Sequence, residues 1–231
     1  MMDLNPPIGC FGGTFNPPHR AHFALAHAAC ERLHLAELLM IPAGQPWQKP
    51  HVLPAVHRLA MLRAAMADEV QTKRCGRDEP YPLSIETLEI DLPQASYTID
   101  TLSTLRARFP DSPLVWVMGS DQLRNLTTWR EWIHLLDLAH IAVVQRAGAE
   151  VTAADLPAPL NGVYAQRVCL DGRWRESLQG RFIPFEFDPI AVSSSDIRAA
   201  ISGGQTADSI SALSPSVAHY ITQHQLYVTS P

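Results

Sequence analysis

Four short apolar runs, Ile8 to Phe11, Leu38 to Ile41, Leu114 to Met118 and Ile141 to Val144, recur between stretches of helical period. A run that is apolar at successive positions has no water-facing side. It must be covered on both faces, which is the condition of a parallel sheet between helix layers. The intervening segments supply the cover: Phe23, Ala26, Cys30 and Leu33 share one helical face, as do Ala55, Leu59, Leu62 and Met66, and again Ile99, Leu102, Leu105 and Phe109. Alternating strands and helices predict right-handed βαβ units and a doubly wound α/β sheet, with ligands at the carboxyl ends of its strands.

At 231 residues the chain has room for one Rossmann-like α/β domain over residues 1–190 and a small C-terminal helical subdomain over 191–231. Residues 147–180, rich in Ala, Pro, Gly and Arg, read as an irregular insertion before Phe182 to Phe187 resumes a strand. Beyond it, Ile197 with Ile201 and then Val217 to His224 have helical spacing. Apolar residues make up 46% of the chain and charged residues 18%, a composition that folds. A net charge of -5 argues against a nucleic-acid surface. The N-terminus lacks the basic start and apolar core of a signal peptide, and no uncharged stretch is long enough to span a bilayer. The expectation is a cytoplasmic protein with neither nucleic acid nor membrane as partner; monomer and homo-oligomer both stay open. Cys10, Cys30, Cys75 and Cys169 lie far apart, which reads as free buried thiols with no protein-bound metal. Glu86, Glu89 and Asp91 are expected to be solvated on a strand-like segment.

The chemistry concentrates where the first strand meets its helix, in Gly12-Gly13-Thr14-Phe15-Asn16-Pro17-Pro18-His19-Arg20-Ala21-His22. Paired glycines let backbone approach an anion, Thr14 adds a hydroxyl, and the helix start presents unpaired N–H groups with a positive dipole end. His19 and His22, three apart, are expected to project together from the first helical turn and to stabilise charge building on a phosphate. The glycine spacing is neither G-x-G-x-x-G nor that of a phosphate loop ending in Gly-Lys-Ser/Thr. Further on, Ser193-Ser194-Ser195-Asp196-Ile197-Arg198 reads as a serine-capped helix start whose hydroxyls and arginine suit phosphate oxygens.

These residues resemble the nucleotidyltransferases with an H-x-G-H-type signature, and within them the bacterial nicotinate-nucleotide adenylyltransferases. The family's G-G-T-F-D-P-x-H-x-G-H is here Gly-Gly-Thr-Phe-Asn-Pro-Pro-His-Arg-Ala-His, with Asn16 for the acid and Ala21 for the glycine. Met40-Ile41-Pro42-Ala43 with Pro46-Trp47-Gln48-Lys49 is similar to the family's strand end and its Pro-Pro-His-Lys loop. Ser96-Tyr97-Thr98 with Asp100-Thr101-Leu102 resembles S-Y-T-x-x-T-L, Gly119-Ser120-Asp121 resembles G-x-D, and Val192 to Arg198 resembles I-S-S-T-x-I-R. Arg130 stands where relatives often carry an aromatic residue.

The resemblance implies adenylyl transfer from ATP, with Mg²⁺ carried on its phosphates, to nicotinate mononucleotide. It implies His19, His22, Lys49 and Arg198 as the catalytic set, and Gly12, Gly13, Thr14, Phe15, Gly119, Asp121, Ser194, Ser195 and Ile197 as ATP contacts. Lys49, Tyr97, Thr98 and Trp129 would hold the mononucleotide. The alternatives are transfer to nicotinamide mononucleotide or another phosphate acceptor, and a nucleotide-binding regulator without catalysis.

Overall fold

The computed structural model describes residues 4–45, 52–71, 82–92, 96–146, 148–188 and 190–228. Each apolar run becomes a strand: β1 (Ile8–Gly13), β2 (Glu37–Pro42), β4 (Leu114–Gly119), β5 (His140–Gln145) and β6 (Phe182–Glu186), joined by the short β3 (Leu83–Ile85). They form one six-stranded sheet, ordered β3-β2-β1-β4-β5-β6, with every neighbouring pair parallel. The chain winds outward from β1 to β3, then crosses back to β4 and winds out the other way. The connections leaving β1 and β4 therefore diverge, and a crevice opens at the carboxyl ends of these two strands.

Alternate residues of the strands serve two cores. Leu38, Met40, Val115 and Val117 face a cluster with Phe23 and Ala26 of α1 (Arg20–Leu33) and Met61 and Leu62 of α2 (Ala55–Gln71). The same cluster includes Ile197 and Ile201 of α6 (Ser194–Ser202) and Val217 and Ile221 of α7 (Pro215–Gln223), so the last two helices share the first layer's core. Leu39, Ile41, Trp116 and Met118 face the other way, onto Leu102 and Leu105 of α3 (Thr98–Arg108) and Leu160 and Tyr164 of α5 (Leu160–Arg167). Burial on both sides explains why these strands are continuous apolar runs, each fully buried Leu contributing about 2 kcal/mol.

Three expectations change, and one strand, β3, has no counterpart among the apolar runs. The three-residue β3 is half-buried at the sheet edge and too short for a period of two to register. In α2 the buried line runs Arg58, Met61, Leu62 and Ala65, displaced from the Ala55, Leu59, Leu62 and Met66 face because an arginine occupies one of its inward positions. The segment 147–180 is not an irregular insertion: it carries α5, whose Leu160 and Tyr164 are buried, and packs Val151, Leu156 and Trp174 inward as well. An eight-residue helix with two deeply buried positions is too short to show a clear period. Of the cysteines, Cys10 and Cys30 are buried, Cys169 is only half-buried, and Cys75 lies outside the described residues.

His140 ties β5 to this crossover. Its Nδ1 accepts the Arg181 N–H at 3.2 Å, which leaves the proton on Nε2 to donate to the Ser177 carbonyl at 3.0 Å. The ring is fully buried, and burial pushes its pKa down from 6.5 to about 4. His19 is lowered to about 4 by the same cause. Because the folded values lie below the unfolded one, the unfolded chain takes up these protons first as pH falls. Their stabilisation is full above 6.5 and is lost toward about 4. The thermal midpoint should therefore decline by several degrees between about pH 6.5 and pH 5, before carboxylates titrate; a flat midpoint in scanning calorimetry over that window would show that these rings are not held neutral.

Candidate active site

A cavity of about 480 Å³ occupies the crevice, walled by the ends of β1 and β4. Two glycines are required by space. A Cβ on Gly12 would lie 2.8 Å from the Trp116 ring, and one on Gly13 would lie 2.8 Å from the Phe15 ring. Gly12, Gly13 and Thr14 thus expose bare backbone to the cavity on the side where a helix begins.

His19 is the N-cap of α1, with extended backbone, and His22 lies in the first turn. The His19 N–H donates to Nδ1 of His22 at 3.1 Å, so the neutral ring of His22 carries its proton on Nε2. His22 lines the cavity. His19 is placed differently. Its ring lies 3.8 Å from that of His22, is 6% exposed, and faces a separate cavity of about 240 Å³ that Asp68 and Ser214 also line. At neutral pH it is uncharged, and its Nδ1 is buried with no hydrogen-bond partner among the described residues. The two imidazoles meet, but only His22 forms the wall of the main cavity.

The helix α6 docks on the turn between β1 and α1. Ser193 caps it, accepting the Asp196 N–H at 3.1 Å, while the Ser194 hydroxyl donates to the Pro17 carbonyl at 2.9 Å. Arg198 divides its guanidinium between the Asn16 carbonyl at 2.8 Å and Ser195 Oγ at 3.1 Å. Asn16 is 2% exposed, and its Oδ1 accepts the Tyr227 hydroxyl at 2.7 Å, so the amide that replaces the family's acid serves as a neutral acceptor. Ile197 points into the core and its N–H donates to the Ser193 carbonyl; Phe15 packs edge-on against His22 at 5.0 Å. Phe15, Ser194, Ser195, Ile197 and Arg198 therefore support the turn from behind, outside the cavity lining.

Opposite the turn, the start of α3 brings Ser96, Tyr97 and Thr98 to the cavity, with Trp129 and Arg130 beside them. The Arg130 guanidinium lies 4.9 Å from the centre of the Tyr97 ring and 3.8 Å from Asp100. Gly119 and Asp121, at the start of the short helix α4 (Ser120–Arg124), complete the wall. Lys49, with Pro46 to Gln48, lies outside the described residues. Among the described residues lining the cavity, Arg130 is the single Lys or Arg, and no group of three or more His, Cys, Asp or Glu could hold a metal ion.

Two polar residues escaped the sequence reading. Glu89, expected in solvent, lies in a turn after β3, is 7% exposed and lines the cavity. Burial raises its pKa, against hydrogen bonds from Ser96, Thr101 and Gly44 that lower it. Arg58 is 1% exposed, and its spacing from Met61, Leu62 and Ala65 was the signal that could have found it.

The comparisons with known proteins agree with this geometry. A cytidylyltransferase-like family model matches residues 10–200. A relative in Herminiimonas arsenicoxydans, named "probable nicotinate-nucleotide adenylyltransferase", is 37% identical over 98% of this chain and 99% of its own. A relative of the same name in Bordetella petrii is 37% identical over 95% and 98%. The chain belongs to the nicotinate-nucleotide adenylyltransferase family. Its fold is that of the Plasmodium falciparum nicotinic acid mononucleotide adenylyltransferase complexed with NaAD, which superposes with a TM-score of 0.71 at 16% identity, covering 96% of this chain and 98% of the other.

Within this family member, His22 is the ring that both lines the cavity and has its donor fixed by a backbone contact. Replacing it by Ala should lower kcat by about 10²- to 10³-fold, the loss typical of one fixed donor at a developing charge, with little change in thermal midpoint. A His22→Ala variant turning over normally in a pyrophosphate-release assay would remove His22 from the catalytic machinery.

Proposed function

We propose that the protein transfers the adenylyl group of ATP to nicotinate mononucleotide, giving nicotinate adenine dinucleotide and pyrophosphate in NAD biosynthesis. The observation that carries this reading is a single cavity with two unlike walls. One is a glycine-lined turn ending in the His22 donor. The other is the Ser96-Tyr97-Thr98 and Trp129 surface, whose aromatic side chains would take the acceptor's ring. Opposed walls suit two substrates whose phosphates must meet.

The acceptor's 5'-phosphate is already ionised at neutral pH, so it attacks the α-phosphorus of ATP without a general base and expels pyrophosphate in line. In this reading the backbone at Gly12 to Thr14 receives the triphosphate, and His22 Nε2–H donates to an α-phosphate oxygen as charge accumulates on it. Arg198 holds the turn that carries this backbone, and Lys49 meets the acceptor phosphate. Mg²⁺ brought by ATP supplies charge neutralisation on the triphosphate.

Arg130 supports an acidic acceptor. A guanidinium stacked on Tyr97 beside Trp129 can pair with a carboxylate on the ring these residues enclose, a contact an amide cannot match. Pyrophosphate release with ATP and Mg²⁺ should be fast with nicotinate mononucleotide and slower with its amide. Arg130→Ala should narrow the ratio of the two kcat/KM values by about tenfold, one charged hydrogen bond's worth. Equal turnover of both mononucleotides by the unaltered enzyme would refute the acid assignment.

A further inference from the structure

Two buried charges of opposite sign connect the walls of the cavity. Arg58 projects from α2 and donates to three backbone carbonyls: Thr14 at 2.9 Å, Gly44 at 2.7 Å and Leu53 at 2.9 Å. Glu89 accepts the hydroxyls of Ser96 and Thr101, each at 2.9 Å, and the N–H of Gly44. The peptide groups flanking the Gly44 Cα are thus held from both ends, the carbonyl by the cation and the N–H by the anion. Only glycine fits between them, because a Cβ there would lie 2.0 Å from the Glu89 carbonyl oxygen. The connected path runs from Thr14 on the phosphate turn, through Arg58, Gly44 and Glu89, to Ser96 and Thr101, which flank Tyr97 and Thr98 on the acceptor wall.

Neither charge is suited to hold substrate. The guanidinium is 1% exposed and committed to carbonyls, while a carboxylate facing an anionic mononucleotide would repel it unless its oxygens were already occupied, as those of Glu89 are by internal donors. Resting on the reading of the site as one that joins two phosphates, we infer that Arg58 and Glu89 are positioning residues that set the distance between the triphosphate turn and the acceptor wall. In-line displacement is sensitive to that distance: a displacement of about 1 Å costs on the order of 10²-fold in rate.

Glu89→Gln keeps the shape but turns one acceptor into a donor facing other donors. It should raise KM for the acceptor mononucleotide about tenfold and KM for ATP by less, because Glu89 bonds the acceptor wall directly and reaches the triphosphate turn only through Gly44 and Arg58. Arg58→Lys should lower kcat by about 10²-fold, since one ammonium cannot span three carbonyls. If the two act as a unit, the double variant should be within about threefold of the worse single one. A structural role alone would lower the thermal midpoint without that KM split or that non-additivity. Multiplying effects, or an unchanged acceptor KM in Glu89→Gln, would overturn the inference. Hydrogen exchange supplies a readout that needs no turnover: Glu89→Gln should speed exchange at residues 12–16, which Glu89 does not contact, as well as at 96–101, and confinement of the change to 96–101 would also overturn it. An unaltered enzyme inert with every mononucleotide would defeat the proposed activity, and the exchange result would still decide for or against the network.

Discussion

The Trp116 ring of β4 lies so close to the carboxyl end of β1 that its benzo edge fills the space a side chain at Gly12 would need. This approach sits where the sheet changes direction, between β1 and β4, and the rest of the site follows from it. Diverging connections open the crevice, missing side chains let backbone form its floor, and the first turn of the adjoining helix places His22 in its wall. A residue with a Cβ at this point would have to displace an indole packed against the second core.

Around that floor the structure keeps positive charge scarce. His19 is neutral by burial, His22 has its proton assigned by a backbone N–H, and Arg130 is the one Lys or Arg among the described lining residues. Donors whose positions are settled before substrate arrives do not have to reorganise as phosphate charge develops, which is where preorganised sites gain their rate. The C-terminal helix α6 adds to this rigidity by gripping the same turn through Ser194 and Arg198, while Tyr227 holds Asn16 from beneath.

The sheet and the floor of the site were legible because their signals are local. Buried strands announce themselves by continuous apolar runs, and Gly12, Gly13, His22, Tyr97, Thr98 and Trp129 lie in motifs that the fold carries into one cavity. The helix α5 was missed because two inward positions in eight residues leave no period to read. Glu89 was assigned to solvent on the assumption of a strand, whereas it sits in a turn whose neighbours, Ser96, Thr101 and Gly44, come from other parts of the chain.

The amino-acid order by itself determined the α/β class and the strand-to-helix turn with its glycines, because each depends on residues within a few positions of one another. Only the tertiary structure decided that His22 and not His19 lines the main cavity, that Arg198 rests on Asn16, and that Arg58 and Glu89 join the two walls through Gly44. Those outcomes turn on burial and on contacts between segments tens of residues apart, and hydrogen-bond partners at that separation are selected by packing.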